Sequence, residues 1–118
     1  MKIPFSDNYF DIVIVNFVLH HIDINQHFNI LKEIRRVCKN LIIISEDNIK
    51  TPIDEILGKF HLLITNRWNS HHNVSFITTT DFNILFNRLN LNIIEKIHIN
   101  RDYSIYYPIN RIVYILTK

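Results

Sequence analysis

From Asp11 to Phe17 the chain is an almost unbroken apolar run of β-branched and aromatic residues. That is the pattern of a strand buried on both faces of a parallel sheet. The pattern then changes period. Between Asn25 and Cys38, Phe28, Leu31, Ile34 and Val37 recur at three-residue steps, while Lys32, Glu33, Arg35 and Arg36 fill the other face, which predicts a helix. Leu41 to Ile44 is a second continuous run and predicts another buried strand, ending at Ser45, Glu46 and Asp47. Thr51-Pro52 reads as a helix start, with threonine as N-cap, proline at the first helical position and acids in the first turn. This helix is expected to reach about Asn66, with Gly58 inside it.

Residues 67–75, RWNSHHNVS, are polar and non-periodic, as in a loop. Thr79 or Thr80 then caps a third helix with Asp81 in its first turn. Phe82, Leu85, Phe86 and Leu89 form its apolar face, and Asn90 stands where a left-handed C-terminal cap belongs. Leu91 to Ile99 and Arg111 to Leu116 predict two final strands, joined by a tyrosine-rich connection around Pro108. No repeat or low-complexity linker interrupts this order, which is an α/β layer pattern with an antiparallel element at its end.

Composition narrows the picture only slightly. At 118 residues the chain makes a single domain with a modest core. Isoleucine and asparagine make up about a third of it and alanine is absent, a usage that points to an AT-rich genome and says nothing of chemistry. The net charge of +2 is scattered, without the basic stripe that grips a phosphate backbone, so nucleic acid is not an expected partner. One cysteine, Cys38, excludes an internal disulfide and reads as a core residue in a reducing compartment. With no leader-like opening and no apolar run near the membrane-spanning length of about 18 residues, a cytoplasmic chain is the expectation.

The segment Ile3 to Ile22, IPFSDNYFDIVIVNFVLHHI, followed by LKEIRRVCKNLIIISEDN, resembles the middle of a class I S-adenosylmethionine-dependent methyltransferase of the small type 11 branch. Ile3-Pro4-Phe5 with Phe10-Asp11 is similar to that family's approach to its fourth strand, and Leu19-His20-His21-Ile22 to the segment leaving it. Leu31, Glu33, Arg36 and Val37 match the next helix, Glu46-Asp47 the acidic end of strand five, and Thr79 to Ile94 the helix and sixth strand, with Asn90 in place of the usual glycine. The resemblance implies a partial Rossmann-like methyltransferase sheet, with strands equivalent to 4-5-7-6 and the last strand antiparallel, flanked by helices. The family's full order is 3-2-1-4-5-7-6. Its glycine-rich loop, ribose-binding acid and adenine-binding acid have no counterpart in this sequence, whose one glycine is Gly58. The expectation is therefore a C-terminal half-domain, inactive by itself.

By the same resemblance, S-adenosylmethionine is the expected cofactor, contacted by Ile3, Pro4, Phe5, Asn16, Phe17 and Leu19. His20 and His21 lie near the transferring methyl, as substrate-facing or basic groups; on residue type alone, the preferred reading is that one packs and the other starts the next turn. Asp47-Asn48 is similar to the acid–amide pair that holds magnesium in catechol-type methyltransferases. The matching acid, however, is Asn16 here, so no metal is assigned and a capping turn is the preferred reading. His71-His72 with Trp68 lack the further ligands of a zinc site, and Tyr103, Tyr106 and Tyr107 are expected to cover the sheet end. Without strands 1 to 3, the strand at 11–17 becomes a sheet edge, free of proline and lysine and open to pairing with a second copy or a separately encoded N-terminal half.

Overall fold

The computed structural model describes residues 2–64, 77–101 and 109–118, with only the backbone of 61–64. Strands β1 (Phe10–Asn16) and β2 (Cys38–Asp47) are joined by a 3₁₀ turn at Leu19–His21 and by helix α1 (Ile24–Val37). Helices α2 (Pro52–Ile64) and α3 (Thr79–Arg88) follow, then β3 (Asn92–Ile99) and β4 (Arg111–Thr117). The sheet order is β1-β2-β4-β3, with β1 parallel to β2 and β4 antiparallel to both its neighbours. That is the 4-5-7-6 arrangement with its last strand reversed.

Each element carries the local chemistry that starts or stops it. Asp23 caps α1 by accepting from the Asn25 N–H at 2.8 Å. Thr51 and Asp54 cap α2 reciprocally: the Asp54 N–H donates to the threonine hydroxyl, while the Asp54 carboxylate accepts from the Thr51 N–H and hydroxyl. The cap of α3 is Thr78, one residue before the expected threonines, because Asp81 at the third helical position answers it in a capping box. Asn90 ends α3 with φ of 49°, as its residue type allows. Cys38 opens β2 rather than closing α1, and it is wholly buried.

The core lies on one face of the sheet. Val15, Ile42, Ile44, Ile112, Tyr114 and Leu116 meet Ile30, Leu31 and Ile34 of α1 and Phe82 and Phe86 of α3. Among the described residues the opposite face is not closed: Ile12 and Ile14 of β1 are 51% and 66% exposed, and Leu41, Ile43, Val113 and Ile115 are half-buried. The expectation that β1 is buried on both faces therefore fails among the described residues. β1 is also the edge of the sheet, as the missing-strand reading requires. Residues 67–75, including Trp68, His71 and His72, and the tyrosines 103, 106 and 107 lie outside the described residues.

Candidate functional site

Open parallel sheets bind ligands outside the carboxyl ends of their strands. Here those ends belong to β1 and β2, and the chain bends sharply between them. Phe17 takes φ of 52°, breaking β1 while its N–H still donates to the Ser45 carbonyl at 2.9 Å. The 3₁₀ turn follows at once, with Leu19 fully buried beneath it. His27 of α1 locks the turn from below. Its Nε2 is 2.9 Å from the carbonyls of both Leu19 and Ile22, so Nε2 carries the proton and both carbonyls are satisfied.

Glu46 organises the site. The side chain lies at the end of β2, 2% exposed, and one carboxylate oxygen accepts from the backbone N–H groups of Val18 at 2.9 Å and Leu19 at 2.7 Å. The other accepts from His20 Nδ1 at 2.8 Å. Burial pushes the His20 pKa down, but the Glu46 hydrogen bond and the charges of Glu46 and Asp47 outweigh it, leaving the pKa raised. The centroid of the His21 ring lies 4.0 Å from that of His20, and that of the Phe17 ring 6.4 Å from it. Nothing in the sequence marked Glu46 beyond its place at an acidic strand end; the signal for it is three-dimensional.

The expected site residues divide into two groups. Asn16, Phe17, His20 and His21 come together at the carboxyl ends. Leu19 sits among them by sequence, but its side chain belongs to the core. Ile3, Pro4 and Phe5 lie at the amino end of β1, separated from the others by the strand's length, about 20 Å. Arg36 holds them there, donating to the carbonyls of Ile3 and Phe5 at 2.9 Å, while Glu33 accepts from the Ile3 N–H. The single cleft wall expected from both segments is not formed within one chain. Asn48 is structural: it is buried, its N–H donates to the Asn110 carbonyl, and its amide oxygen accepts from Thr79. Among the described residues no cluster of ligands could hold a metal ion, and no helix is long and apolar enough to cross a membrane.

The same arrangement recurs in solved structures. A methyltransferase from Thermotoga maritima superposes with a TM-score of 0.71 over 99% of this chain, at 15% identity. The fold is that of the S-adenosylmethionine-dependent methyltransferases. The YcgJ protein of Bacillus subtilis (TM-score 0.68, 16% identity, 99% of this chain) and an S-adenosylmethionine-dependent methyltransferase from Archaeoglobus fulgidus (0.67, 13%, 96%) are similar to it in the same way. Residues 1–43 match the type 11 family described as a methyltransferase domain. No curated protein sequence matches the chain. The methyltransferase fold seen here spans 60%, 67% and 61% of those three structures' lengths, in the order named.

Proposed function

We propose that this chain is the C-terminal part of an S-adenosylmethionine-dependent methyltransferase, and that further polypeptide on the open edge of β1 completes its cofactor site. The observation that carries this reading is the sheet: the strand order is that of the methyltransferase fold, and it stops at β1 with that strand's edge and one face open. The residues present fit part of a cofactor. Asn16 offers an exposed amide and Phe17 a turned aromatic side chain at the strand ends, suited to the amino-acid portion and to an apolar contact. A glycine loop and a ribose-binding acid would have to come from the completing segment.

When bound, the cofactor supplies an electrophilic methyl group. The protein's own work is to hold the acceptor in line with it and to manage the acceptor's proton, roles in which positioning carries much of the rate. This reading assigns those roles to His20 and His21. A chain that fixes only one reactant is inactive by itself. The test is methyl transfer, from labelled S-adenosylmethionine across a panel of acceptors, by this chain with and without an N-terminal methyltransferase half. Transfer only in the mixture supports the reading, and none in a folded complex defeats it.

A second reading rests on the same open edge. β1 carries one charge, Asp11, and two exposed isoleucines, so a non-catalytic module that pairs through this strand is the alternative. A defined complex formed through β1 without cofactor affinity would favour it.

A further inference from the structure

The geometry points to Glu46 as the positioning residue that presents Nε2 of His20, rather than His21, as the proton acceptor for a methyl acceptor bearing an N–H or O–H group. This rests on the methyltransferase reading for its chemistry, but the arrangement itself is observable without it. Glu46 is buried and ionised groups are costly to bury unpaired. Its two oxygens are taken up by two backbone N–H groups of the turn and by His20 Nδ1. A carboxylate can only accept, so Nδ1 must carry the hydrogen and Nε2 is left with a free lone pair when the ring is neutral. The backbone contacts fix the carboxylate relative to the very turn that bears His20. Ring orientation and turn geometry are thus set by one side chain, which also reads out the end of β2.

The chemistry balances. The acceptor's lone pair forms a bond to the methyl carbon of a sulfonium donor and the carbon–sulfur pair stays on sulfur. The proton released from the acceptor's nitrogen or oxygen passes to His20 Nε2. The charged groups facing His20 are Glu46 and Asp47 from β2, with the titratable His21 beside it in the turn. The carboxylates favour the imidazolium that results, so the base works only above the raised His20 pKa. His27, packed beneath, is committed to carbonyls and takes no part.

Nitrogen-detected NMR of the histidine rings tests this in the full chain, without substrate or cofactor. At alkaline pH His20 should be the Nδ1–H tautomer. In Glu46→Gln the side-chain oxygen can still receive the backbone N–H groups, but its NH₂ then faces Nδ1. The ring should switch to the Nε2–H tautomer and its pKa should fall. Glu46→Asp, which keeps the charge, should restore part of the wild-type signature. An Nε2–H ring in the wild type, or an unchanged tautomer and pKa in a folded Glu46→Gln protein, would overturn the assignment. Failure of the methyltransferase reading would appear separately, as absent methyl transfer in a complex whose His20 behaves as described.

Discussion

At the scale of single residues, the buried carboxylate of Glu46 has the largest consequence. Glu46→Ala leaves the Val18 and Leu19 N–H groups without their acceptor; the Val18 group can turn to water, so the buried Leu19 group sets the expected cost, about 1–3 kcal/mol. Urea unfolding measures it directly; a loss below half a kcal/mol would mean the turn is satisfied some other way. The His20 partnership also makes stability depend on pH. Because its folded pKa lies above the ordinary histidine value, its contribution is complete below that value and is lost as pH rises through the folded one. Wild type should therefore lose more stability than His20→Ala as pH rises from below the ordinary histidine value of about 6.5 through the raised folded one. The histidine pair stood out in the sequence as a motif, but its carboxylate partner lies 26 positions away and emerged only from the parallel register of β1 and β2.

At the scale of elements, the helix starts are legible in the sequence because their signals are local. Thr51-Pro52 with Asp54, and the α3 apolar face, depend on neighbours within one turn. The Thr78 cap was missed by one residue because three consecutive threonines share the same side chain, and only the answering Asp81 distinguishes them. Thr78→Ala is expected to cost about 1 kcal/mol, against little change for Thr80→Ala, measured by thermal or denaturant unfolding. The amino-terminal segment takes its position for a non-local reason. The family resemblance puts its IPF motif on the cofactor wall, whereas Arg36 and Glu33 fasten it to the end of α1. The Arg36 hydrogen bond and the Ile3 N–H hold the Glu33 pKa down to about 2. The tether should therefore persist through mild acid, losing strength only as pH falls toward that value. Arg36→Ala should raise amide exchange across residues 3–8 while leaving His20 and its neighbours unchanged.

At the scale of the whole molecule, the described residues cover the sheet on one side. Alternation in β2 and β4 places Ile42, Ile44, Ile112 and Tyr114 against the helices and leaves Leu41, Ile43, Val113 and Ile115 on the open face. Continuous apolar runs such as DIVIVNF signal two buried faces but cannot say which polypeptide supplies the second cover. That part of the architecture is not written in the run itself. Ile14→Lys should change the stability of the isolated chain by no more than about half a kcal/mol, as for other surface positions, yet reduce its association in sedimentation experiments. An unchanged association would place the sticky surface elsewhere.

The most direct measurement is a calorimetric titration with S-adenosylmethionine of the folded chain, alone and after complexing with an N-terminal methyltransferase half that carries the glycine loop. The chain alone should give no saturable heat, and the complex should bind at micromolar strength, about −8 kcal/mol. Saturable binding by the chain alone would contradict the need for completion, and a well-folded complex that binds nothing would contradict the cofactor site itself.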